Sequence, residues 1–147
     1  MSQDEAGELV AKGAEALARD QVYLALVCFE RAIRLERTPL ICSSLAYCLA
    51  KGRGQYREAI ELGREAISRE PAEPVHYYNL GRVHILAQDR KEAIAVLRQG
   101  LQLKMAPEIL RELDALGARK PPVFPKLPRS HPLNKLFGRL LSRLGLR

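Results

Sequence analysis

Apolar residues fall along this chain at intervals of three and four, the spacing that collects them on one face of a helix. Ala25, Leu26, Phe29, Ala32 and Ile33 make one such face. It returns 34 residues later as Ala59, Ile60, Gly63, Ala66 and Ile67, and after a further 34 as Ala93, Ile94, Leu97, Gly100 and Leu101. Such a period marks an array of stacked repeats: one unit cannot bury its apolar face alone, and its neighbours supply the other wall. In the first helix of a unit, Gly13 stands 12 residues before Ala25, and Gly81 stands 12 before Ala93. A small residue there lets the two helices of a hairpin approach closely. In the second unit Ala46 stands 13 before Ala59. The turn over 51–55 is therefore expected to be one residue longer, and the link over 36–39 one residue shorter.

The pattern predicts helices over about 4–19, 22–36, 39–51, 55–69, 74–87, 90–103 and 107–116. Pro39, Pro71, Pro74 and Pro107 fall at unit boundaries, where proline opens a helix, and Gly52 and Gly54 fall in a turn. The last of these helices sets Ile109, Leu110, Leu113 and Leu116 against Glu108, Arg111, Glu112 and Asp114. That is the two-faced composition a solenoid needs at its end. Three domains are expected: repeats with their capping helix over 1–117, a proline-rich basic linker over 118–132, and a basic amphipathic helix over 133–147. In this last segment Leu133, Leu136, Phe137, Leu140, Leu141 and Leu144 form an apolar stripe, and Lys135, Arg139, Arg143 and Arg147 a basic one.

Composition agrees with an all-α chain. Of 147 residues 47% are apolar, yet only 5% are aromatic and none is Trp. The core must therefore be built from Leu, Ile, Val and Ala. The net charge of +7 is concentrated in the tail: residues 118–147 hold eight cations and no acid, which leaves the body at −1. The polar, acidic start carries no secretory pattern, and no apolar run is long enough to span a bilayer. A cytoplasmic protein is expected, with peripheral attachment to a membrane as the variant. Cys28, Cys42 and Cys48 have no metal-ligand spacing and read as reduced, partly buried thiols.

No catalytic constellation is apparent, so no enzyme, cofactor or metal is expected. Gly52-Arg53-Gly54 lacks the frame of a phosphate-binding loop. His76, His84 and His131 are not arranged with acids or cysteines at ligand spacing, and Ser43 and Ser44 are expected to have no histidine nearby. Glu58, Glu61 and Glu65, with Arg57 and Arg64 between them, read as an exposed helix face.

The 34-residue period, with Tyr77, Leu80, Gly81, Ala93, Leu97 and Gly100 in the third unit, resembles the tetratricopeptide repeat family. Gly13, Ala25, Phe29 and Ala32 carry the likeness in the first unit; Leu45, Ala46, Ala59, Ala66 and Pro71 carry it in the second. It spans residues 6–107 and departs from the family at His84, where a Tyr is usual; a structural, neutral imidazole is expected there. The resemblance implies a right-handed α-solenoid whose first helices line a concave protein-binding groove. Carried over position by position, the lining is Val10, Ala14, Leu17, Ser43, Ser44, Tyr47, Tyr78, Asn79 and Arg82. Some members hold a peptide's terminal carboxylate with Lys and Asn. Here those places hold Val10, Ala14, Ser44, Val75 and Asn79, and only Asn79 fits. An apolar peptide or helix is therefore the expected ligand, and a protein-interaction adaptor or chaperone-like scaffold the expected function. The alternative is a peripheral membrane or polyanion-binding protein acting through the tail. Lys135, Leu136, Phe137, Arg139, Leu140, Leu141, Arg143 and Leu144 would make that contact. Their apolar stripe must bury itself on the chain's own repeats or a second copy, in a partner's groove, or in an anionic membrane. Nucleic acid is the least favoured partner, because the tail has no base-reading module.

Overall fold

A computed structural model describes residues 2–117 and 130–145. Most of the proline-rich stretch expected over 118–132, and Arg147 of the basic stripe, lie outside the described residues. Regular structure among those described is entirely helical: α1 (Ser2–Ala18), α2 (Val22–Leu35), α3 (Pro39–Arg53), α4 (Tyr56–Arg69), α5 (Pro74–Leu86), α6 (Arg90–Leu103), α7 (Pro107–Ala115) and α8 (Pro132–Arg143). The chain divides into two compact units, Met1–Gly117 and Ala118–Arg147.

In the first unit α1 packs on α2, α3 on α4 and α5 on α6, each pair joined by a turn of two or three residues. Successive hairpins then stack through α2 on α3, α4 on α5 and α3 on α5. The result is an α-solenoid of helical repeats. Proline opens α3, α5 and α7, where its missing N–H forfeits no helical bond. Thr38 caps α3 by accepting from the Ile41 N–H at 3.2 Å, and Asp89 caps α6 from the Glu92 N–H at the same distance. The turns inside the hairpins carry the period as well. Asp20, Gly54 and Gln88 each hold a left-handed conformation, at φ 57°, 65° and 62°. Two of the three are not glycine, so composition gave no sign of this regularity.

The extra residue of the second unit lies elsewhere than expected. The turn after α3 is short, Gly54-Gln55, and α3 itself runs on to Arg53. The link from α2 to α3 is three residues against four between α4 and α5. Arg37 holds that short link onto α4 through two hydrogen bonds to Glu65, at 2.9 and 2.7 Å.

The recurring small residues form the spine. Ala25, Ala59 and Ala93 have no exposed surface, nor do Ala32 and Ala66. A Cβ on Gly13 would lie 2.8 Å from the Phe29 ring, and one on Gly81 would lie 2.5 Å from Leu97 Cγ. Helix α7 closes the array by packing on α6 and α5, with Ile109 and Leu113 buried. Arg90 ties its far end down by donating twice to the Leu116 carbonyl, at 3.1 and 2.7 Å. The three cysteines are free and buried. Burial pushes the Cys48 thiol up to about 12, so it stays protonated.

His84 is buried, and neither ring nitrogen has a partner. Burial therefore holds it below its ordinary value of 6.5, against the pull of Glu92 and Asp89. The unfolded chain takes up a proton on His84 before the folded chain does. This contribution to stability is intact above about pH 6.5 and is lost as the pH falls below it. His84→Leu should keep stability at pH 8 within about 1.5 kcal/mol and flatten its decline between pH 6.5 and 5, read by urea unfolding. Gly81→Ala should lose about 1–3 kcal/mol, because the new methyl overlaps Leu97. Adding Leu97→Ala to Gly81→Ala should cost less than Leu97→Ala costs alone, since the methyl then fills space.

Candidate functional site on the first helices

Where α3 lies against α5, the sequence places polar residues among apolar ones: Ser43 and Ser44 on α3, His76 and Asn79 on α5. The two α5 residues are three apart and so share a face. They meet on Ser43. Its Oγ lies 2.9 Å from His76 Nδ1, accepts from Asn79 Nδ2 at 3.2 Å, and is 3.3 Å from the Leu40 carbonyl. On the other side of the ring, His76 Nε2 lies 2.8 Å from Glu70 Oε2. Tyr77 donates to the Pro71 carbonyl at 2.7 Å and fixes the link that carries Glu70 and Pro71.

This corrects two expectations. Ser43 does have a histidine beside it, and His76 does have an acid. The cause is register: 33 residues separate Ser43 from His76, close to one repeat, so stacking brings them together. The line Ser43–His76–Glu70 has the residue types of a nucleophilic triad, but Ser43 has no exposed surface on which a substrate could arrive. What the line achieves is to satisfy buried polar groups across the contact between two repeats.

The network continues along α5 to Arg82. Asn79 Oδ1 accepts from Arg82 Nη2 at 2.7 Å. The guanidinium is sandwiched between two rings, 3.5 Å from the centroid of Tyr47 and 4.2 Å from that of Tyr78. Each such contact contributes roughly 0.5–2 kcal/mol, depending on how far water is excluded. Arg82 Nε is buried without a hydrogen-bond partner, so this N–H is closed to a ligand unless the stack moves. Burial raises the Tyr78 phenol above its ordinary value of 10, with the Arg82 charge opposing, and it remains neutral. Beside Tyr78 opens a depression of about 570 Å³ whose apolar lining includes Val75, Leu103, Met105, Pro107 and Ile109. A second depression, of about 430 Å³ between α2 and α4, is lined by Glu30, Glu58, Glu61 and Glu65. Two of its acids are already taken, Glu30 by Arg53 and Glu65 by Arg37.

Of the lining residues expected from sequence, Tyr47, Tyr78 and Arg82 come together half-buried. Ser43 and Asn79 are buried in the α3–α5 contact instead, and Ser44 is buried as well. Val10 and Leu17 pack partly against the core, and Ala14 is exposed. His76 and Glu70 were missed, and so was the depression beside Tyr78. The exposed Leu103-Lys104-Met105 at the end of α6 was the available sign of the latter.

Residues 50–111 match the family model described as tetratricopeptide repeat. Over those residues the chain is similar to tetratricopeptide repeats. Solved structures of such domains share the fold. The TPR domain of Sgt2 from Aspergillus fumigatus has 19% identity and a TM-score of 0.65, over 89% of this chain and 93% of that one. The Arabidopsis OM64 TPR domain has 18% identity and a TM-score of 0.66, over 80% and 98%. The second TPR domain of human RPAP3, solved with the Hsp70 peptide SGPTIEEVD, has 17% identity and a TM-score of 0.64, over 81% and 100%. No curated protein sequence matches the chain.

Ser43→Ala should lower stability by about 1–3 kcal/mol, since it leaves buried groups of His76 and Asn79 without their shared partner. In urea unfolding, Ser43→Ala and Asn79→Ala should be non-additive by on the order of 1 kcal/mol, because they break one network.

Proposed function

We propose that the repeat domain is a protein-interaction adaptor that takes an apolar segment of a partner along α3 and α5, with an acceptor group of that segment set against Arg82. The observation that carries this reading is the Tyr47–Arg82–Tyr78 stack beside the depression at Tyr78. Rigid aromatic and arginine groups of this kind contribute most to protein recognition, since little side-chain entropy remains to be lost on binding. An apolar side chain fits the Val75–Leu103–Met105 surface, while a carboxylate or carbonyl of the ligand answers the guanidinium. The human RPAP3 domain binds an acidic-tailed Hsp70 peptide. A ligand of that kind is not carried over to this chain, because the Asn79 amide is already committed to Ser43 and Arg82. Buried, unpaired thiols suit a reducing compartment such as the cytoplasm.

The test is capture of a partner by a photo-crosslinker placed at Tyr78, followed by affinity measurement with the captured protein. Tyr78→Ala and Arg82→Ala should each weaken binding about tenfold or more. Arg57→Ala, at an exposed site on α4, should change it little. Parent-like affinity in both groove variants would remove this surface from the interaction.

A further inference from the structure

Helix α8 is built for a boundary between water and apolar medium. Leu133, Leu136, Leu140 and Leu144 recur at the three- and four-residue spacing of one helix face. They are 42%, 64%, 48% and 61% exposed. Lys135, Arg139 and Arg143 follow one another along the neighbouring face, beside the small residues Gly138 and Ser142. The helix begins well: Pro132 holds its first position and His131 accepts from the Leu133 N–H at 3.3 Å. It is nevertheless only 12 residues long. A helix of that length is marginal in water without something to cover its apolar face.

Charge decides what covers it. Residues 118–147 contain eight cations and no carboxylate, whereas the remainder of the chain is close to neutral. We propose that α8 lies flat in the surface of an anionic lipid bilayer, its leucines among the acyl chains and its cations at the headgroups. Arg and Lys stems are long enough to run along apolar surface and deliver their charge at the edge. At about 18 Å the helix is too short to cross a bilayer, and no described helix is long and apolar enough to do so. A nucleic acid would answer the cations but leave the four leucines in water, so it fits less of what is present.

The experiment is flotation of the full chain with vesicles of phosphatidylcholine holding about one-third phosphatidylglycerol, against pure phosphatidylcholine. Circular dichroism melting confirms that each variant is folded. The parent should float with the anionic vesicles and at least about tenfold less with the neutral ones. Lys135→Gln with Arg139→Gln and Arg143→Gln should bind roughly 100-fold more weakly, at about fivefold per cation. Leu136→Asp with Leu140→Asp should abolish flotation. Three results would overturn the proposal. One is a folded parent that stays off anionic vesicles, including the case where it is retained by duplex DNA or by a protein instead. Another is flotation unchanged by the two leucine substitutions, which indicates attraction to any polyanion. The third is equal binding to neutral vesicles.

Discussion

Every other feature of the repeat domain depends on how closely its helices approach. Helices of 9–17 residues, as these are, have little stability of their own in water. They persist because each gives an apolar face to its neighbours, and that contact is deep only where side chains are small. Ala25, Ala59 and Ala93 sit where the second helix of each hairpin meets the first, with no surface left exposed. In the first and third units, glycine on the first helix receives a large side chain from the second: Phe29 over Gly13, Leu97 over Gly81. Glycines on second helices serve the contact to the next helix: Gly100 receives Ile109 of α7, and Gly63 receives Leu80 where α3, α4 and α5 meet.

The polar network lies in that same region, and it fixes a direction as well as a distance. Apolar packing tolerates small slides of one helix along another, because dispersion and burial change little with rotamer adjustment. Buried hydrogen bonds do not, since each lost partner costs about 1–3 kcal/mol. Ser43 must therefore face His76 and Asn79 together, and this sets the register of α5 on α3. Asn79, so held, presents its carbonyl to Arg82, and Arg82 comes to rest between a tyrosine from α3 and one from α5. The exposed edge of the stack is thus positioned by groups that no ligand touches.

Much of this was legible in the sequence, and the parts that were not share a cause. The 34-residue columns predict seven helices of the repeat domain to within about two residues, because small and apolar residues repeat where packing requires them. Tyr47, Tyr78 and Arg82 were picked out by position. The burial of Ser43, Ser44 and Asn79 was not, nor was the role of His76 and Glu70. A single helix shows which residues share a face, but not which face of the neighbour it meets. That depends on the rotation between repeats, which one helix's pattern does not carry. The left-handed turns at Asp20 and Gln88 escaped for a different reason: Asp and Gln have no strong signature for that conformation, and the surrounding turn imposes it at roughly 1 kcal/mol. Pro132 was assigned to the linker, yet it opens α8, as proline does at a first helical position.

The two surfaces described here ask for different ligands. The face at Tyr78 sets the stacked Arg82 beside an apolar wall with Glu73, Lys104 and Glu108 at its edge. Helix α8 brings three cations, and residues 130–145 contain no carboxylate. On the proposed readings the first surface suits an apolar segment that brings an acceptor and the second a surface of opposite sign, because the chain's excess charge lies in 118–147 and the rest is close to neutral.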